Sequence, residues 1–143
     1  NYNLLIGEGT AERVKMEIGA AKRNADSESV STYVRGRDVA RGVPSEITLT
    51  QAQVADAVAE PVARIVHVVR SALEHTQPEI AADVIDVGIM MTGGGSLLRE
   101  ISTVLEYETG LPVMVADSPL SCVAVGAGQT LEDATYRGAL VSI

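Results

Sequence analysis

The chain has 143 residues and is 46% hydrophobic, enough for one domain or two small ones with a real core, which excludes a disordered chain. Lys and Arg number 11 against 19 Asp and Glu, a formal net charge of -8, which repels phosphodiester backbones and anionic lipid and argues against nucleic acid as a partner. The single Cys122 excludes an internal disulfide, no cationic and apolar leader opens the chain, and no apolar run reaches the roughly 18 residues of a membrane span, so a reducing cytoplasm is the expected compartment.

With Phe and Trp absent, the core must be built from Val, Ile, Leu, Ala and Met. Thr10 can cap a helix through "AERVKMEIGAA", in which Val14 and Ile18 share one face with Glu12 and Lys15 beside it. "RNADSE" reads as a polar loop. "SVSTYVRG" and "SEITLT" alternate as strands, with "RDVARGVP" supplying the turn between them, a small β-ribbon. Thr50 and Gln53 form a capping box that opens a helical pattern of Val54, Val58, Val62, Ile65, Val69 and Leu73. Pro61 interrupts it, and proline inside a helix costs about 3 kcal/mol, so two abutting helices are expected, with Pro61 near the start of the second. That break sets the expected boundary between residues 1–60 and 61–143.

The second half reads differently. "VIDVGIMMT" is a buried-strand pattern, "GGG" a turn, "SLLREISTVLEYETG" a helix ending at Gly110, and "LPVMVAD" a short strand, together a β-α-β unit. A last helix, "SCVAVGAGQTLEDATYRGA", shows a face of small residues, Ala124, Gly126, Ala127 and Gly128, suited to close packing on a sheet.

Gly93, Gly94 and Gly95 fall between an expected strand and the start of an expected helix, where free N–H groups and the positive dipole end favour an anionic or nucleotide ligand. The segment lacks the Lys-Ser/Thr ending of a P-loop, and Leu98 stands where a dinucleotide fingerprint needs its last glycine. Spacing alone therefore leaves ligand contact and an ordinary tight turn both open. Glu12 and Lys15, at i and i+3, can reach one polar ligand together or form an exposed ion pair worth a few tenths of a kcal/mol. His67 and His75 lack the spacing of a helical metal pair, and no cysteine or carboxylate pattern completes a metal site. Cys122 is expected as a buried structural thiol. No nucleophile elbow or Ser, His and Asp arrangement points to covalent catalysis.

In order, "NYNLLIGEGTAERVKMEIGAA", "VRGRDVARGVP", "EPVARIV", "MTGGGSLLRE" and "ETGLPVMVADSPLSCVAVGAG" resemble the C-terminal part of the MreB family, bacterial actin-like proteins of cell-shape determination, across essentially the whole chain. "EPVARIV", "MTGGG" and "SPLSCVAVGAG" more distantly resemble actin-fold chaperone ATPases, which leaves a chaperone-type lobe as the alternative reading and a degenerate scaffolding fragment as a third. The resemblance implies an α/β fold, part of the second lobe of an actin-like (ribonuclease H-like) ATPase, with residues 1–60 as the small subdomain and 61–143 as the C-terminal part of the larger one. It implies ATP or ADP as cofactor, with Gly93, Gly94 and Gly95 in the adenosine motif and the helix at residues 10–20 closing over the other side. Glu12 and Lys15 then fall at its polar contact positions, and Met16, where the chaperones carry a cation, packs its thioether on the ring.

By the same resemblance, the phosphate-binding hairpins, the carboxylate that organises Mg2+, the water-positioning residue and the membrane-binding element belong to regions preceding this part. The segment alone is then not expected to hydrolyse ATP. The partners implied are further copies of the chain in a homopolymer and the cell-wall elongation machinery, with filaments at the cytoplasmic face of the membrane.

Overall fold

In the computed structural model, which describes residues 2–133 and 135–136, the chain enters through a two-residue strand, β1 (Leu4–Leu5), and helix α1 (Glu8–Ile18). The helix starts earlier than the expected Thr10 cap: Gly7 holds the N-cap position in extended conformation and its carbonyl receives the amides of Thr10 and Ala11. Val14 and Ile18 are buried as their spacing requires.

Strands β2 (Ser31–Asp38) and β3 (Pro44–Thr50) form the expected ribbon, antiparallel from Ser31↔Thr50 to Arg37↔Pro44. β1 adds to its other edge, Leu4 opposite Asp38, giving the order β1-β2-β3. Two residues are too few to show alternation, so this strand has no sequence pattern of its own. Gly36 is what lets β1 approach, because a Cβ there would run into the Leu5 carbonyl and come 2.9 Å from Ile6 Cγ2. Val14, Ile18, Val34 and Val54 bury one cluster between ribbon and helices, with Leu4, Ile47 and Leu49 packed against it. The "RNADSE" loop is anchored in part by buried Ser27, which donates its hydroxyl to Asn24 Oδ1 and Gln51 Oε1, at 2.9 and 3.2 Å.

Helix α2 (Gln51–Glu74) opens on the capping box, Thr50 Oγ1 accepting from the Gln53 amide while Gln53 Oε1 accepts from the Thr50 amide. It then runs for 24 residues with Pro61 inside it, correcting the expected pair of helices. Burial explains why: Val54 and Ala55 before the proline and Val62 and Val66 after it all pack on the interior, so continuity is held by tertiary contacts that outweigh one lost hydrogen bond. The buried stripe turns at Val66, leaving Ile65 exposed.

The expected strand "VIDVGIMMT" is also corrected. Residues 84–87 complete a helix, α3 (Pro78–Val87), and only Ile89–Met91 form strand β4. Gly88 separates them at φ +80, where a Cβ would come 2.5 Å from the Pro112 carbonyl oxygen. A short apolar run reads equally well as helix or strand, and here Pro78 at the first turn and Gly88 at the end delimit a helix.

Gly94–Leu97 form one 3-10 turn, and helix α4 (Ile101–Thr109) begins only after Glu100, whose φ is +64. Gly110 closes α4 in left-handed conformation, and β5 (Val113–Val115) pairs parallel with β4, Ile89 opposite Val113. The β-α-β order is as expected. Ala21, Val62, Val66, Ile101, Leu105 and Val113 form a second buried cluster, so α2 contributes to both.

Helix α5 (Cys122–Glu132) has no buried residue. Its small-residue face is therefore not packed on the sheet within the described residues, and Cys122 is half-buried, not enclosed, its Sγ hydrogen-bonding the Ser118 carbonyl. The rest of the expected last helix, at 134 and 137–139, lies outside the described residues.

Candidate functional site

At 100° per residue, Glu8, Glu12, Lys15, Met16 and Gly19 lie on one face of α1 and its C-cap. Lys15 Nζ is 2.7 Å from Glu12 Oε2, with both side chains about half exposed, and Met16 is 75% exposed. The far end of this face touches the segment after the glycines: a Cβ at Gly19 would come 3.2 Å from Leu98 Cδ1. Residue 20 bridges residue 99 in parallel, the Ala21 amide donates to the Arg99 carbonyl at 2.8 Å, and the Arg99 guanidinium donates to the Glu17 carbonyl at 3.1 Å. Lys22 and Glu100 add an ion pair at 3.7 Å. The Glu12 helix and the segment that follows the glycine turn are thus stitched together by backbone as well as side chains.

The glycine turn has its own clamp. Gly93 takes φ +79, a conformation glycine adopts freely, and its N–H donates to the Pro119 carbonyl at 2.7 Å. Its carbonyl accepts from the hydroxyl of buried Ser96 at 2.7 Å and from the Ser96 amide at 3.2 Å. A Cβ at Gly94 would meet only Leu120 Cδ2, at 3.5 Å, and one at Gly93 or Gly95 would meet nothing within 4 Å. Gly93 is thus accounted for by its backbone angle, whereas no positive φ and no close neighbour among the described residues requires glycine at 94 or 95.

One expectation about this turn is corrected. Its free N–H groups were expected at the start of the long helix, but they belong to a four-residue 3-10 turn, and α4 starts separately from Glu100. The free N–H groups of α4 therefore begin beyond the glycines, and residues 93–95 present a turn without side chains.

Glu12 and Lys15 also line a groove of about 660 Å3 between α1 and the first turns of α2, with Ile6, Leu49, Val54 and Val58 on its apolar wall. Residues 93–95 do not line this groove, and the two halves of the expected site are linked through the 19–22 and 98–100 segments. Asp56, on the same groove, takes a two-point contact from Arg23, Nε to Oδ1 at 2.7 Å and Nη2 to Oδ2. That hydrogen bonding holds the Asp56 carboxyl below its usual range and raises the Arg23 guanidinium. Among the described residues no three His, Cys, Asp or Glu side chains converge as a metal site.

The family model for the MreB/Mbl protein matches residues 1–138. The chain belongs to the MreB/Mbl family. It is 48% identical over 138 residues to the cell shape-determining protein MreB of Escherichia coli, covering 96% of this chain and 39% of that protein. It is 43% identical over 132 residues to the cell shape-determining protein Mbl of Bacillus subtilis, covering 92% and 39%. The crystal structure of MreB5 of Spiroplasma citri bound to ADP superposes with a TM-score of 0.86 at 32% identity, over 92% of this chain and 40% of MreB5. The AMPPNP-bound form of MreB5 gives the same TM-score over 39% of its chain. The fold is therefore that of part of an actin-like MreB protein, and the chain spans about two fifths of the length of the relatives it matches.

Sequence reasoning passed over Ser96, Arg99 and Pro119, which set the glycine turn of this MreB-family chain and its link to α1. Ser96 was findable, since a serine three residues after a glycine turn is a common backbone clamp. Arg99 and Pro119 act through contacts distant in sequence and carry no local pattern.

Proposed function

We propose that this chain supplies the adenosine-binding side of an ATP-binding actin-like protein, with Gly93, Gly94 and Gly95 against the base and ribose and Glu12, Lys15 and Met16 closing from the other side. The single observation that carries this reading is the unexplained glycine at 94 and 95: neither backbone angle nor packing among the described residues calls for it, while a flat ligand resting on the backbone would. Exposure of Glu12, Lys15 and Met16 on a helix face that leads down to Leu98 supports it. So do the ADP and AMPPNP bound in the two structures of MreB5. Residues 1–60 act as the small subdomain and 61–143 as the C-terminal part of the large one.

In the whole protein this lobe helps clamp ATP, with Mg2+ held through the nucleotide and residues outside this segment. The protein polymerises into membrane-associated filaments at the cytoplasmic face that organise cell-wall synthesis and rod shape. Catalytic positioning of phosphates and water lies outside the segment, which does not hydrolyse ATP alone.

The test is Gly94→Val in the full-length protein, followed by titration with a fluorescent ATP analogue. A branched side chain there enters the space assigned to the base, so affinity is expected to fall severely while the thermal melt and helical content hold. Unchanged affinity overturns the assignment.

A further inference from the structure

One contact between α1 and the segment after the glycines is made by a charge that no acid neutralises. Arg99 Nη2 donates to the Glu17 carbonyl at 3.1 Å, and no carboxylate pairs with its guanidinium among the described residues. The carboxylate of Glu17 is engaged with the ribbon and with α1 itself: Oε1 accepts from the Thr32 hydroxyl at 2.9 Å and Oε2 from Arg13 at 2.6 Å. The last four carbonyls of a helix have no partner within it, and the negative end of its dipole attracts a cation. In α1 the Lys15 carbonyl takes the Gly19 amide at 2.9 Å, and Arg99 satisfies the Glu17 carbonyl.

The two ends of this bond belong to the two sides of the adenosine site. On one side α1 and the ribbon hold together, since Val14, Ile18 and Val34 share a buried cluster and Glu17 is tied to Thr32 of β2. On the other, Arg99 follows the glycine turn, to which the neighbouring Leu98 amide is bonded through the Gly95 carbonyl at 3.2 Å. The Ala21 amide, donating to the Arg99 carbonyl at 2.8 Å, fixes where the chain leaves α1. Gly19 permits that closeness, because a Cβ there would run into the Lys15 carbonyl and come 3.2 Å from Leu98 Cδ1. One attachment fixes where a helix ends and leaves its tilt free. Arg99 reaches back to Glu17, about one turn before Ala21, and supplies a second. Glu12 stands more than a turn beyond Glu17, so a change of tilt is carried to Glu12, Lys15 and Met16 together.

We propose that Arg99 is a positioning residue for adenosine: its hold on the Glu17 carbonyl sets the spacing and tilt of α1, with Glu12, Lys15 and Met16, relative to the turn at Gly93, Gly94 and Gly95. It acts through α1 and not on the nucleotide. The guanidinium suits this task because it stays charged at any working pH, and a charged donor makes the stronger bond to a carbonyl. The inference rests on the adenosine reading above and deepens it by naming the group that keeps the two sides of the site at one spacing.

The experiment titrates the full-length protein with a fluorescent ATP analogue and displaces it with unlabelled adenosine. Arg99→Ala is expected to weaken both ligands by about fivefold, part of the worth of a hydrogen bond from a charged donor, while the thermal melt holds because the side chain is exposed. The same substitution is then made in a protein already carrying Glu12→Ala and Lys15→Ala. There it is expected to cost less than about twofold, since most of the groups it positions are gone.

An equal loss in both backgrounds overturns the inference, because Arg99 then acts on the nucleotide or on the fold as a whole. So does a loss for ATP that spares adenosine, the mark of a charge that attracts phosphates. Affinity unchanged by Arg99→Ala, where Glu12→Ala with Lys15→Ala lowers it, overturns the inference as well, and all three results leave the adenosine reading standing. If Arg99→Ala melts early, Arg99→Met, which keeps an apolar stem and removes the donors, replaces it in both backgrounds. Full affinity in the protein carrying Glu12→Ala and Lys15→Ala overturns the α1 side of the adenosine reading and this inference with it.

Discussion

Glycines in this chain hold their places for different physical reasons, and the difference separates structure from function. Gly88 is fixed twice, by φ +80 and by the Pro112 carbonyl in the space of any Cβ, and Gly36 by the approach of β1. Gly94 and Gly95 have neither constraint, and the adenosine contact proposed above is what would call for glycine there. Glu12 and Lys15 divide the same way. Their ion pair is half exposed, and such pairs contribute only a few tenths of a kcal/mol. Alanine at either position is therefore expected to leave the melt of the apo protein nearly unchanged while weakening adenosine binding by about 1 to 2 kcal/mol, the scale of a hydrogen bond to a charged group. Isothermal titration with ATP beside a thermal melt tests this, and a large loss of stability with intact affinity would make the pair structural.

Asp38 gives a pH dependence of definite sign. Hydrogen bonds from the Arg41 amide and guanidinium and from the Ala40 amide hold its carboxyl below the ordinary value. A depressed folded pKa means the stabilisation is fully present above the unfolded value of about 3.9 and is lost as pH falls through the folded one. Asp38→Asn should accordingly flatten the fall in melting temperature below about pH 4 while costing little of the hairpin's packing, because the turn faces solvent. An acid limb as steep as wild type would mean the turn is not what titrates.

At the scale of elements, α2 shows tertiary burial overruling a local breaker. Pro61 lacks the amide that would complete the ladder, yet the helix passes through it because Val54, Val62 and Val66 are buried on either side. Pro61→Ala should raise the melting temperature, by up to about 3 kcal/mol of stability if the proline carries the full penalty of a helix interior. No rise in a denaturant or thermal melt would mean that the helix is bent to suit the proline. The opposite case is α3, whose residues 84–87 have a strand-like composition and are helical. Its identity was decided by its delimiters, Pro78 and Gly88, and an apolar run alone could not decide it.

At the scale of the molecule, burial is uneven. The ribbon, α1 and the first half of α2 enclose one cluster, and α2 with α4 and β5 encloses a second. In contrast, α3 and α5 have no fully buried residue, and among the described residues β4 and β5 form a two-stranded sheet. Exposed apolar side chains and open strand edges favour association and local opening. Hydrogen exchange on the 143-residue chain should therefore show slow amides in residues 31–60 and fast ones across α3, α5 and the strand edges. Uniform protection would mean that these helices are covered by self-association or need no cover. The 660 Å3 groove between α1 and α2 belongs to the better-protected part.

Local pattern was enough for the ribbon, the capping box at Thr50, the helix with Val14 and Ile18 inward, and the β-α-β order around the glycines, because each is written in alternation, in a cap or in a turn residue a few positions apart. Ordered motifs also identified the family, since identity over most of the chain needs no coordinates. The delimiters of α3, Pro78 and Gly88, and the Ser96 clamp are local signals, whereas continuity through Pro61, the two-residue β1 and the hold of the Pro119 carbonyl on the Gly93 amide came only with the tertiary structure. Each depends on which side chains are buried together or which carbonyl lies opposite which amide, and those pairings join residues far apart in the chain, which no local window contains.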